Sequence, residues 1–326
     1  MGCPPSKPKV TEPQSNTESR VQHVLQINGT DATEDVDRRS LEKVVRYRAK
    51  FDQRVTAKYD IQALIGRGSY SRVVRAQHRI TKKPYAIKMV NRIHAKDMCE
   101  AELRVLQSVR HKYVIRLHEV FESSTQLYMV VDLATGGELF ERVVSNGSFG
   151  EPDAIYVLRM VLEGLQYLHG RGIAHRDLKP ENLLFYHPGE KSKILITDFG
   201  LSAFRKTGNE FMHTICGTPE YIAPEVIARQ PYTCLVDMWA VGVVTYILLS
   251  ATMPFDDDNR ARLYKMILRA KYTFDDEVLL IRSDNLYLYQ ALSQKCRVGR
   301  PNQIIYIYIY VVPLSIDNFL FDYIGL

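Results

Sequence analysis

His175-Arg176-Asp177-Leu178-Lys179-Pro180-Glu181-Asn182, followed by Asp198-Phe199-Gly200, carries the chemistry from which the rest of this chain is read. Two carboxylates, a lysine and an asparagine at this spacing can hold a nucleophilic hydroxyl, a phosphoryl group and divalent cations in one place. Phosphoryl transfer asks mainly for positioning and charge neutralisation. Mg²⁺ takes hard oxygen ligands and keeps some waters, which suits the carboxylate of Asp198 and the amide oxygen of Asn182. Asp177 can accept a hydroxyl proton, and Lys179 can reach charge developing on a terminal phosphate. The bland alternative is two loops with ordinary turn carboxylates.

In order and spacing these residues resemble the catalytic loop and metal-binding motif of protein kinases. The resemblance implies ATP as phosphoryl donor, Asp177 as proton acceptor, Lys179 at the γ-phosphate, and Asn182 and Asp198 as Mg²⁺ ligands. Lys179 stands where tyrosine kinases carry other residues, so the implied acceptors are serine and threonine hydroxyls of protein substrates.

Upstream, Ile65-Gly66-Arg67-Gly68-Ser69-Tyr70-Ser71-Arg72-Val73 is a glycine-rich turn between expected strands. Glycines let backbone approach phosphates without a Cβ clash. Here the family's third glycine is Ser71. The resemblance makes Ile65, Gly66, Gly68, Ser69, Ser71 and Val73 nucleotide contacts. Lys88, ending the strand Tyr85-Ala86-Ile87-Lys88, matches the lysine of the α- and β-phosphates. A lone strand lysine is usually solvated, so this reading needs a partner. Glu102, in the helical run at 102–106, is the matching one. Leu106, Leu117, His175 and Phe199 would form a packed column joining two lobes, or plain core.

The apolar strand at 127–131 leads into Asp132-Leu133-Ala134, which resembles the hinge that binds adenine through backbone groups. Val131 would be the gatekeeper, and Val73, Ala86 and Leu184 would sandwich the base in an apolar slot. Gly136-Gly137-Glu138 resembles the ribose and substrate-contacting turn. Glu138 and Glu181 match acidic positions that favour arginine before the target serine. The family's further acidic position is Ile247 here, so a basophilic preference should be less strict.

Downstream, Asp198 to Ala223-Pro224-Glu225 matches an activation segment. Thr214 lies at the position phosphorylated in many kinases, and Arg176 would pair the added charge. A plain loop threonine is the alternative. Thr218 would bond Asp177 and Lys179. Residues 236–242 resemble the central buried helix, with Asp237 tying down the catalytic loop, and residues 256–270 read as a further amphipathic helix. Over 59–274 the chain resembles the calmodulin-dependent-kinase group, and most closely the protein serine kinase H family. The carriers are the MGC start, RYRAKFD at 46–52, RVTAKYDI at 54–61, ATGGELF at 134–140 and CGTPEYIAPE at 216–225.

The implied fold is α+β: the two-lobed protein-kinase fold, with a small mainly β N-lobe and a mainly α C-lobe. We expect the kinase domain at 59–277, with the C-lobe incomplete and a non-family tail at 278–326. Trp239 is the only tryptophan, where family members continue through a further tryptophan-bearing segment. The Ile-Tyr repeat at 305–310 is what an AT dinucleotide repeat encodes, which suggests translated intron; a divergent but real C-terminus is the alternative. Neither Arg297 nor Arg300 stands in the context of the arginine that pairs Glu225 in the family. The tail is therefore expected to lower stability, and the uncharged β-prone run at 304–312 to favour aggregation. Two function classes follow: an active kinase, or a catalytically silent, pseudokinase-like protein that binds nucleotide or partners.

The whole chain bounds the remaining options. At 326 residues and 46% hydrophobic content it can bury one large or two moderate domains, and a net charge of +6 does not imply nucleic acid as partner. Five scattered cysteines do not read as a disulfide framework or zinc site, which fits a reducing cytosol. No stretch approaches the roughly 18 to 20 apolar residues of a membrane span, and the opening is too polar for a secretory signal. The apolar run at 241–249 reads as a buried core helix.

Met1-Gly2-Cys3-Pro4-Pro5-Ser6 fits N-myristoylation at Gly2, with Cys3 beside it for palmitoylation. One acyl chain binds membranes only marginally, so the second would make the anchor stable. Lys7 and Lys9 would add attraction to anionic lipid. This places the chain at the cytoplasmic face of Golgi or plasma membrane, or in the cytoplasm; a plain disordered N-terminus is the alternative. Residues 1–45 read as a disordered tether and 46–58 as a basic lead-in. Arg38, Arg39, Lys43, Arg46, Arg48 and Lys50 surround Leu41, Val44 and Val45 at helical spacing. Such a helix could touch membrane or calmodulin, or simply lead into a domain.

Overall fold

Period-two alternation of branched and aromatic residues builds the first layer, because successive strand side chains point to opposite faces. In the computed structural model, which describes residues 51–146, 148–204, 211–270 and 272, five strands form one antiparallel sheet. They are β1 (Tyr59–Arg67), β2 (Ser71–His78), β3 (Pro84–Asn91), β4 (Leu117–Glu122) and β5 (Gln126–Val131), in the order β1-β2-β3-β5-β4. The β3–β5 register sets Ala86 opposite Val131 and Lys88 opposite Met129. One face, with Ala86, Val90, Leu127, Met129 and Val131, joins the main core.

The other face, with Val74, Ala76, Ile87, Met89, Tyr128 and Val130, forms a second cluster. Helix α1 (Gln53–Lys58) covers it: Val55 is fully buried there, and Phe51 packs on the Tyr128 ring at 6.3 Å. Asp52 caps α1 by accepting from the Arg54 N–H at 2.9 Å, and Lys58 pairs with Glu119. The described part of the basic lead-in is thus a cover on the sheet.

Helix α2 (Lys96–Ser108) buries Cys99, Glu102, Val105 and Leu106, a stripe at helical spacing that faces the sheet. Beyond the hinge come α3 (Leu139–Asn146) and the 19-residue α4 (Glu151–His169). Two short antiparallel pairs follow, β6 (Ile173–Ala174) with β9 (Ala203–Phe204), and β7 (Leu183–Phe185) with β8 (Ile194–Ile196). They hold the catalytic loop and the Asp198 turn side by side. After α5 (Pro224–Ile227), every residue of α6 (Val236–Ser250) from Val236 to Leu248 is buried, as expected of the apolar run. A helix apolar on all sides belongs in a core, and α4 and β8 pack around this one's lobe.

The last described helix, α7 (Arg260–Leu268), is shorter than the expected span of 256–270. The Asn259 side chain accepts from the Ala261 and Arg262 N–H groups and so sets the start. Among the described residues no helix is long and apolar enough to cross a membrane. Gly2, Cys3, the tether, the start of the lead-in and the tail from 278 lie outside the described residues. The expectation of an incomplete C-lobe falls on those same residues.

Candidate active site

Asp237, in the first turn of α6, is 1% exposed and holds the catalytic loop by its backbone. Its Oδ2 accepts the His175 N–H and its Oδ1 the Arg176 N–H, each at 2.8 Å, and His169 Nε2 lies 2.7 Å from Oδ2. These bonds hold Arg176 at φ +67°, a left-handed conformation that an arginine rarely adopts. Burial works against ionisation of Asp237, but the bond and charge of His169 outweigh it and lower its pKa. The His175 ring bonds the Thr197 carbonyl at 2.9 Å and packs edge-on against Phe199. Leu106 and Phe199 are buried in the main core and Leu117 packs against it; of the expected column, His175 and Phe199 are in ring contact.

On this platform Asp177, Lys179, Asn182 and Thr218 meet. The Thr218 N–H and hydroxyl both donate to Asp177 Oδ1, at 3.0 and 2.7 Å. Lys179 Nζ donates to the Thr218 hydroxyl at 2.8 Å and lies 3.4 Å from Asp177 Oδ2. Asn182 Nδ2 donates to the Asp177 carbonyl at 2.8 Å, which leaves its Oδ1 as an oxygen donor.

Across the cleft Lys88 Nζ lies 2.6 and 2.8 Å from the two Glu102 oxygens and 3.0 Å from Asp198 Oδ1. Burial disfavours the Lys88 charge, yet the Glu102 and Asp198 carboxylates hold its pKa above the usual lysine range. Burial likewise opposes ionisation of Asp198, and Lys88 prevails and lowers it. Burial pushes the Glu102 carboxyl up. Asp198, at φ +61°, is the second strained residue of the site. Among the described residues no cluster of three or more His, Cys, Asp or Glu could hold a metal alone. One carboxylate and one amide oxygen are the donor set Mg²⁺ uses when phosphate oxygens and water complete its shell.

The residues expected to contact a nucleotide are placed by the sheet and the turn after it. Ala86 and Val131 are buried side by side on adjacent strands, Val73 packs on the same core, and Leu184 bridges to Glu138. Asp132 directs its N–H to the Arg116 carbonyl at 3.1 Å and its carboxylate to His118 at 2.7 Å. Gly66 pairs with Val73 in the sheet, whereas Ile65 and Ser69 are exposed at the mouth. A Cβ on Gly68 would lie 2.8 Å from the Ser71 hydroxyl.

Thr214 is exposed, and the structure wires Arg176 elsewhere than its sequence position suggests. Arg176 Nε donates to the Leu201 carbonyl at 2.7 Å and Nη1 to the Tyr232 hydroxyl at 3.2 Å. Tyr232 and His169 are site residues that the motifs did not single out, since neither stands within a recognisable spacing. Burial, then the Glu141 and Glu181 carboxylates, push the Glu138 carboxyl up, and burial, with smaller contributions from Asp177 and Glu220, pushes the Glu181 carboxyl up. Glu181 Oε2 is buried without a hydrogen-bond partner among the described residues. Ile247 is 3% exposed inside α6, so that position offers no acid to a ligand.

A family model described as the protein kinase domain matches residues 59–297. Over 239 residues the chain is 66% identical to the serine/threonine-protein kinase H1 homolog of Pinctada fucata, covering 73% of this chain and 58% of that one. It is 64% identical over 238 residues to serine/threonine-protein kinase H1 of Homo sapiens, covering 72% and 56%. Against calcium/calmodulin-dependent protein kinase type 1 of Macrobrachium nipponense the identity is 45% over 225 residues, covering 68% and 65%. The chain thus spans little more than half the length of the H1 relatives it matches.

Proposed function

This chain belongs to the protein kinase family, and from that premise we propose that it transfers the γ-phosphate of ATP to serine or threonine hydroxyls of proteins. The observation that carries the reading is the bonded set of Asp177, Thr218 and Lys179 beside the Lys88–Glu102 pair. Thr218 fixes Asp177 Oδ1, so a substrate hydroxyl can give its proton to the same carboxylate. Lys179 stands next to it to meet charge on the transferred group, and Lys88, oriented by Glu102, meets the inner phosphates. Asn182 and Asp198 would hold Mg²⁺, which neutralises phosphate charge when bound.

The names of the H1 relatives support serine and threonine as acceptors. The half-buried Glu138 and Glu181 support a preference for arginine before the target residue, with Ile247 limiting it to one arginine. Gly2 and Cys3 support a doubly acylated tether at the cytoplasmic face of a membrane, and the basic lead-in supports calmodulin as a partner. The domain assignment of 59–277 is part of the same proposal.

The test is the full chain with ATP, Mg²⁺ and an arginine-directed peptide library. Phosphoserine or phosphothreonine product supports the reading; nucleotide-induced thermal stabilisation without product overturns it in favour of a silent binding protein. Fractionation of cells should find Gly2→Ala in the cytosol and Cys3→Ser only transiently on membranes. Unchanged membrane association of Gly2→Ala would remove the tether from the proposal.

A further inference from the structure

Tyr232 is 3% exposed in the loop before α6, yet its hydroxyl emerges between two parts of the candidate site. It accepts from Arg176 Nη1 at 3.2 Å and donates to the Thr214 carbonyl at 2.5 Å. Its backbone pairs with Met212 in both directions, Met212 N–H to Tyr232 carbonyl at 2.9 Å and the reverse at 3.0 Å. Arg176 precedes Asp177, and Thr214 lies just upstream of Thr218, whose hydroxyl bonds Asp177. Two stretches of covalent chain and three hydrogen-bonded links thus close a ring: Asp177, Arg176, Tyr232, Thr214, Thr218 and back to Asp177.

We propose that Tyr232 is a positioning residue whose hydroxyl latches the activation segment onto the catalytic loop before any phosphate is added. A phenol hydroxyl has one proton to give and lone pairs to receive, and here both capacities are in use. Among the described residues no carboxylate pairs with Arg176, so its guanidinium meets a neutral hydroxyl and the Leu201 carbonyl instead. That bond is charge-assisted and stronger than a neutral one. The segment passes close enough that a Cβ on Gly217, at φ +113°, would lie 2.8 Å from the Arg176 carbonyl. Without the Tyr232 hydroxyl, the hydrogen bonds that still tie this stretch down among the described residues are the Met212–Tyr232 backbone pair just before it and those of Thr218 at its end. The carboxylate geometry of Asp177 then loses its outer brace. A phosphate on Thr214 would give Arg176 an alternative anchor and make the hydroxyl dispensable.

The inference rests on the phosphoryl-transfer reading, and its test separates the two. Tyr232→Phe in the full chain removes one oxygen and keeps the ring. With Thr214 unphosphorylated, kcat should fall about tenfold at unchanged KM for ATP, as expected for one charged hydrogen bond lost from a positioning network. Amide exchange at residues 212–218 should rise in step. Phosphothreonine encoded at position 214 should bring kcat back to within about twofold of the phosphorylated parent, by supplying Arg176 with a second anchor. Equal kcat for unphosphorylated parent and variant overturns the latch, as does an equal loss in both phosphorylation states. A parent that transfers no phosphate overturns the reading of function, while the exchange data still judge the latch. If the variant does not fold, the parent labelled with 3-fluorotyrosine decides: the Tyr232 fluorine signal must shift when Thr214 is phosphorylated, and a fixed signal overturns the proposal.

Discussion

The Thr218 hydroxyl donates to the Asp177 carboxylate at 2.7 Å across 41 residues of chain. The same oxygen receives Lys179 Nζ at 2.8 Å, so it lies between a carboxylate and a cation and orients both. The positions of Asp177 and Lys179 thus depend on one side chain far along the chain.

Thr218→Val keeps the branched shape and removes the hydroxyl. Hydrogen bonds to charged groups contribute about 1.5–3 kcal/mol each, so kcat should fall roughly 10- to 100-fold with KM for ATP little changed. Steady-state kinetics with ATP and peptide varied independently check this; a valine variant at parental kcat would place the control of Asp177 elsewhere.

Lys88→Met and Asp198→Ala should both abolish turnover, but by routes that stability tells apart. Glu102 is 5% exposed, and losing Lys88 strands its carboxylate, which costs about 3–5 kcal/mol unless it takes a proton. Adding Glu102→Gln should recover stability and not activity. The Asp198 side chain is 51% exposed, so Asp198→Ala should leave the melting temperature close to the parent's while turnover is lost. Turnover near the parental rate in either single variant would refute the assignment.

Asp237→Asn should destabilise the chain by about 1–3 kcal/mol, because an amide cannot accept from both backbone N–H groups and His169. The pH dependence has a definite sign. Burial opposes the Asp237 charge, His169 overrides it, and the folded pKa is depressed. A depressed value gives stability that is present above the unfolded pKa of about 3.9 and is lost as pH falls through the folded one. The gap between parent and variant in urea titrations should therefore shrink below about pH 4. A gap that grows on acidification would contradict the linkage.

Val55→Ala tests the cover on the sheet. Val55 is fully buried against the second cluster, and truncating it should cost about 2 kcal/mol through lost burial and a residual cavity. The urea midpoint should drop while kcat stays near the parental value, since α1 touches none of the catalytic groups. An unchanged midpoint would mean that α1 is loosely held.

The sequence alone determined the chemistry and the strand faces. His175 to Asn182 and Asp198 to Gly200 carry their meaning in residue order, and alternation at 127–131 or periodicity around Glu102 acts within a strand or two turns of helix. What only the tertiary structure decided is which distant groups complete each local motif. Tyr232 stands 56 residues from Arg176, and Asp237 stands 68 from His169. A tyrosine in a loop gives the same local signal whether it meets solvent or a guanidinium. Likewise α1 reads as a basic lead-in until Val55 is seen beneath it, and α7 reads as starting at 256 until Asn259 is found at its cap. Local preferences act over a few bonds, whereas the partner of a buried polar group is chosen by the packing of whole elements, which must leave few such groups unpaired.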